Sequence, residues 1–95
     1  MRPVSNEPCL ICGRRPSDWH HWPIARGTHP RREWPYLPVV PLCRKHHTQA
    51  HTGRLTEDLI CLAPRYWMED PEVASIYMPR YETWLAKREY MEAVS

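Results

Sequence analysis

With 95 residues the chain has room for one domain, and one this short buries too little of its unfolded surface to dispense with a staple. Nothing in residues 1–8 resembles a signal peptide and no apolar run reaches the length of a membrane span, so a cytoplasmic protein is expected, in which cysteines more often hold zinc than form disulfides. The net charge of +2 is unevenly spread: residues 1–54 carry nine basic and three acidic side chains, and residues 55–95 carry four and eight. A basic half suits a polyanionic partner, because arginine and lysine displace counterions condensed on phosphates, although a merely solvated surface carries the same charge.

Six of the eleven prolines fall between Pro16 and Pro41, which excludes long helices from the first half. Cys9 to Gly13 reads as a tight metal-binding turn, with Gly13 supplying the backbone freedom such a turn needs. A short strand is expected over residues 18–25, ended or confined to an edge by Pro23. A basic loop follows over 26–35, then a second strand over 37–42, where Pro38 and Pro41 again require an edge. The next residues, 44–52, predict a helix stopped by Gly53. Beyond it Thr56 is the expected cap of a short apolar segment, 59–63, which Pro64 ends. Asp70-Pro71 supplies a cap and a first helical residue for a helix reaching about Met78. After Pro79, residues Tyr81, Trp84, Leu85, Arg88 and Met91 recur at helical spacing and predict an aromatic stripe that belongs to the core. The fold class is therefore α+β.

Cys9-x2-Cys12 is a common first half of a zinc site, and Cys43-x2-His46 completes four ligands for a tetrahedral ion. A closed set of four protein ligands is structural, since catalysis needs an open coordination position. Cys61 is the rival fourth ligand; His46 is preferred on the paired spacing, which leaves Cys61 as a small buried hydrophobe. His47 and His51 are spaced i, i+4 and lie one above the other on a helix, where they can chelate one ion. His46 is turned about 100° from His47, so the adjacent histidines address different metals. Alone, such a pair is usually a surface accident; directly after a zinc half-site it is a candidate second metal site. His29 lies in the proline-broken loop and has no role in this scheme.

The three elements Cys-x2-Cys-Gly, Asp-Trp-His-His-Trp-Pro and Val-Pro-Leu-Cys-Arg-Lys-His-His-Thr-Gln-Ala-His, in that order, resemble the HNH endonuclease family, and in particular its small zinc-containing members common in phages and prophages. The resemblance covers a little under half of the chain. It implies a zinc-stabilised treble-clef ββα-metal core over residues 1–54 and a helical extension of two or three helices over 55–95, the whole forming a single domain. It implies that His20 is the strand ligand of a catalytic divalent ion, that His47 and His51 are its helix ligands, and that His21 is the general base. An imidazole titrating near neutrality suits that work. The implied reaction is metal-dependent hydrolysis of a DNA phosphodiester, leaving a 5′-phosphate and a 3′-hydroxyl. The implied cofactors are a structural Zn²⁺ and one catalytic Mg²⁺, Mn²⁺, Ni²⁺ or Zn²⁺, in a bacterial or phage-infected cell.

One position departs from the family. Pro38 stands where the middle asparagine of the motif belongs, and the chain's single asparagine is Asn6; proline offers neither a side-chain amide nor a backbone donor. Arg26, Arg31, Arg32, Arg44, Lys45 and Arg54 flank the expected site and are candidates for phosphate contacts. Trp22 and Trp34 are candidates for base stacking, with core packing as the plainer role. Two other readings stand beside the nuclease: a non-catalytic zinc module binding DNA or protein, and a nuclease subunit active only in a larger phage or mobile-element complex, docked through its acidic helical tail.

Overall fold

The computed structural model describes residues 7–94 of the chain. It is α+β: a two-stranded antiparallel sheet of β1 (Asp18–His21) and β2 (Val39–Leu42), followed by helices α1 (Arg44–His51), α2 (Thr56–Trp67) and α3 (Pro71–Val94). Two compact units interleave along the chain, one combining residues up to 20 with 39–66, the other combining 21–38 with the residues from 67 onward.

In the first unit the turn at Cys9 is closed by its own backbone. The Gly13 amide donates to the Cys9 carbonyl at 2.8 Å and the Cys9 amide to the Arg14 carbonyl at 2.9 Å. Gly13 reverses the chain at φ +76°, in the left-handed region that glycine enters at no steric cost. The Leu10 amide donates to the Pro41 carbonyl at 2.8 Å, which fastens the turn to β2. Val39, Val40, Pro41 and Leu42 are all buried, and the two prolines at 38 and 41 are tolerated because in a two-stranded sheet every strand is an edge. α1 begins at Cys43, whose carbonyl accepts from the His47 amide at 2.7 Å. It ends as expected at Gly53 (φ +78°): the Arg54 amide donates to the Gln49 carbonyl and the Gly53 amide to the Ala50 carbonyl, the paired bonds of a Schellman stop.

α2 differs from the sequence expectation at both ends. Thr56 does not cap it; its hydroxyl donates back to the Gly53 carbonyl at 3.0 Å. Pro64 does not end it either, and the helix runs on to Trp67. The reason is the buried face: Leu55, Leu59, Ala63 and Trp67 recur every four residues and are all buried, so packing continues past the amide that proline lacks. The same face explains Cys61, which is exposed rather than a buried hydrophobe. Two residues from Leu59 it is turned by about 200° and points away from the packed side.

In the second unit Asp70 caps α3 as expected, its Oδ1 accepting from the Glu72 amide at 3.0 Å. Pro79 does not split this segment into two helices; α3 is continuous from Pro71 to Val94. Aromatic contacts lie on both sides of the proline. Trp67 packs edge-on against Tyr77, before the proline, and against Tyr81, after it, at centroid distances of 5.8 and 5.6 Å. Trp22 joins them through Trp67, Tyr81 and Trp84, so it is core. Such pairs contribute about 0.5–1.5 kcal/mol each beyond their burial. The stripe on α3 is buried at Tyr81 and half-buried at Trp84, Leu85 and Arg88, but Met91 is exposed and lies outside the packing. Burial raises the Tyr81 phenol above its ordinary pKa; Glu89 adds to the shift and Arg88 opposes it.

β1 is shorter than expected, stopping at His21 before Trp22-Pro23. The basic loop is not irregular. It consists of two short 3-10 turns, Arg26–Thr28 and Arg31–Tyr36, organised on Trp34: its indole N–H donates to the His29 carbonyl at 3.0 Å, and the Arg26 and Arg31 guanidiniums lie over its ring at 5.1 and 5.5 Å.

Candidate metal centres

Cys9 and Cys12 come from the knuckle, Cys43 from the residue before α1 and His46 from its first turn, and their ligand atoms all lie within 4.8 Å of one another. The separations agree with a tetrahedron around one ion. With Zn–S near 2.3 Å and Zn–N near 2.05 Å, tetrahedral angles place two sulfurs about 3.8 Å apart and a sulfur and a nitrogen about 3.6 Å apart. The Cys12 and Cys43 sulfurs are 3.7 Å apart, and His46 Nδ1 is 3.6 Å from the Cys9 sulfur and 3.2 Å from that of Cys43. No thiol in this set is in a disulfide. The local fold makes the set from short pieces: the extended conformation of Cys43, which caps α1 without using its side chain, leaves its sulfur available one turn below His46.

Electrostatics inside the cluster favour a cation. Burial raises the Cys9 thiol, but the backbone amides of Cys43, Cys12 and Ile11 and the Cys12 side chain outweigh it and bring the pKa down to about 6. The Cys12 thiol goes the other way: the Arg14 amide lowers it, but desolvation, the Cys43 side chain and the neighbouring Cys9 push it above its ordinary value. One thiolate therefore opposes the next, and a divalent ion among them removes that repulsion.

The second cluster is His20, His47 and His51. β1 presents His20, which is buried at 7% exposure, and α1 presents the other two one turn apart. The ring centroids form a nearly equilateral triangle with sides of 4.8, 4.9 and 4.8 Å. Three imidazoles on one ion have centroids about 3.2 Å from it, and ligand angles of about 90–110° then separate those centroids by about 4.5–5.2 Å. The residues present thus fit a three-nitrogen metal site that keeps positions open for water or substrate.

Asp18, which the sequence reading passed over, touches this cluster from behind. Its Oδ2 lies 3.5 Å from His47 Nδ1, so the other ring nitrogen, Nε2, is the one left for an ion. A carboxylate on the far nitrogen of a ligand histidine fixes the tautomer and the ring's orientation. The signal was present in the strand, since an acidic residue two before His20 points to the same face, but its partner lies 29 positions further on and only the fold brings them together.

The remaining candidates separate cleanly. His21 follows His20 in β1 and is not one of the three clustered imidazoles. Cys61 is outside both clusters. Arg44, Lys45 and Arg54 are exposed in the first unit, and Arg26, Arg31 and Arg32 are exposed in the second. Pro38 is fully buried, and its carbonyl accepts from the Trp22 amide at 3.2 Å, which ties down the residue next to His21. Among the described residues no helix is long and apolar enough to cross a membrane. Compared with family models, with curated proteins and with solved structures, the chain finds no match in any of the three.

Proposed function

We propose that this protein is a metal-dependent endonuclease of the HNH type, acting on DNA. The observation that carries the reading is the His20, His47 and His51 triangle, which offers three neutral nitrogen ligands beside a separate and closed Cys3His set. The knuckle, the two-stranded sheet and α1 are read as a zinc-held treble-clef ββα-metal core. A divalent ion held by the three imidazoles would supply charge neutralisation at the phosphoryl group and at the departing oxygen.

The chain's own residues then have distinct tasks. His20, His47 and His51 hold the site, and Asp18 orients His47. His21, next to His20 in the chain, takes a proton from water as its oxygen attacks phosphorus; the bond from phosphorus to the 3′-oxygen breaks and that oxygen takes a proton from a second water, leaving a 5′-phosphate and a 3′-hydroxyl. Pro38 supplies no side-chain amide where the family uses one; its backbone carbonyl, which accepts from the Trp22 amide, constrains the chain beside His21 as any residue's carbonyl would. Arg26, Arg31, Arg32, Arg44, Lys45 and Arg54 serve as phosphate contacts.

The test is plasmid nicking by zinc-loaded protein with Mg²⁺, Mn²⁺, Ni²⁺ or Zn²⁺ added singly, comparing wild type with His21→Ala. Loss of the base lowers cleavage by roughly 10²–10⁴-fold and leaves metal content and DNA affinity unchanged. Equal cleavage by the two proteins removes His21 from the mechanism. The second reading, a non-catalytic zinc module, is favoured by Pro38 itself; tight DNA binding with no cleavage under any of the four metals would establish it.

A further inference from the structure

The second unit contains a cavity of about 450 Å³, lined from α3 by Arg80, Thr83, Trp84 and Lys87 and from the preceding segment by Ile24 and His29, with Pro79 at one end. This volume is in the range of small-molecule sites. Residues 80, 83, 84 and 87 share one helix face. That face is unusual in its half of the sequence. Residues 55–95 contain eight acidic side chains and only four basic ones, Arg65, Arg80, Lys87 and Arg88, yet two of the four basic ones line this cavity and no carboxylate does.

The cations and the ring differ in how they are held. Arg80 Nη2 is 3.6 Å from Glu33 Oε1, which positions it at the cost of part of its charge. Lys87 has no ion-pair partner among the described residues. His29 Nδ1 contacts the Thr28 hydroxyl at 2.9 Å, which orients its ring. Trp84 is half-exposed, and its indole is fixed edge-on against Trp22 at 5.2 Å and tilted on Tyr81 at 6.0 Å. A rigid aromatic face between cations, with apolar Ile24 and Pro79 beside it, offers both parts of a nucleotide a partner: stacking for the base and charge for the phosphate. An acidic peptide would use the cations and leave the aromatic surface unmatched.

We infer that this cavity binds one nucleotide of a single nucleic-acid strand, its base stacked on Trp84 and its phosphate against Lys87 and Arg80. The inference deepens the nuclease reading by giving the chain a strand-holding site that shares no residue with either metal cluster. It rests on that reading for the identity of the ligand class, not for the chemistry.

The test is fluorescence anisotropy of a short, labelled, phosphorothioate single-stranded DNA titrated with zinc-loaded protein at several salt concentrations. Lys87→Gln weakens binding and makes the slope of log K against log salt shallower by about 0.7, the share of one single-strand phosphate contact. Trp84→Leu weakens binding roughly 5- to 100-fold, the effect of one lost base stack, with the salt slope unchanged. Arg65→Gln removes an exposed cation that is not among the residues lining the cavity and leaves affinity and slope as in wild type. Lys87 can be changed without touching the aromatic core, so that arm holds even if Trp84→Leu fails to fold. Wild-type affinity and slope in Lys87→Gln, equal losses in Lys87→Gln and Arg65→Gln, or competition by polyglutamate as effective as that by unlabelled DNA would each overturn the inference. The two proposals fail separately: a protein that binds through Lys87 and Trp84 but cuts nothing keeps the cavity and loses the nuclease, whereas one that nicks plasmid while both variants bind normally keeps the nuclease and loses the cavity.

Discussion

Replacing Asp18 with alanine isolates the role of a residue that touches no proposed substrate and holds no metal itself. The carboxylate lies 3.5 Å from His47 Nδ1, with side-chain exposures of 32% for Asp18 and 27% for His47. Loss of such an outer partner typically costs a metal site 10- to 100-fold in affinity. At 3.5 Å the contact is longer than an ordinary N–H···O hydrogen bond, and about a third of each group is open to water and its screening. Both facts place Asp18→Ala at the lower end, about tenfold, or about 1.4 kcal/mol. Asp18→Asn, which retains an oxygen acceptor but no charge, should lose less. The assay is calorimetric titration of Ni²⁺ or Mn²⁺ into zinc-loaded protein, with zinc content and melting temperature measured on the same samples. Wild-type affinity for the added ion in Asp18→Ala would show that the contact does not orient His47. Loss of zinc or a large drop in melting temperature would show that Asp18 supports the fold instead.

Three further outcomes follow from the same geometry. Cys12→Ser loses the structural zinc and unfolds the first unit, because metal binding and folding are one equilibrium in a core this small, while Cys61→Ser keeps its zinc and melts as wild type; elemental analysis and thermal melts distinguish them, and the reverse pattern would make Cys61 the ligand. The double change His47→Ala with His51→Ala lowers metal content by one ion per chain and leaves the zinc in place, whereas two ions retained would reduce the pair to a surface feature. Pro64→Ala restores an amide donor inside α2 and raises stability by up to the ~3 kcal/mol that separates the two residues within a helix, read as a higher melting temperature; no gain would mean that the local backbone is already adapted to proline.

Much of this protein is legible in local spacing. Cys-x2-Cys-Gly, Cys-x2-His and the i, i+4 histidines each describe a geometry that a turn or one helical turn enforces by itself, and the structure brings each set together. Gly53 and Asp70-Pro71 likewise mark helix ends through the backbone conformation and hydrogen bonds of their immediate neighbours. The prolines misled for the complementary reason. Pro64 and Pro79 are read locally as breaks, but Leu55, Leu59, Ala63 and Trp67 on one helix, and Tyr77 and Tyr81 against Trp67 for the other, gain more from continued packing than the missing amides cost. Cys61 turned outward because the period of that buried face, not its own hydrophobicity, decided its side. Asp18 beside His47, Ile24 and His29 lining one cavity with Trp84 of α3, and the interleaving of the two units depend on partners tens of residues apart. No local preference encodes such pairings; they exist once the chain has closed, when burial of the shared apolar surface selects which distant segments meet.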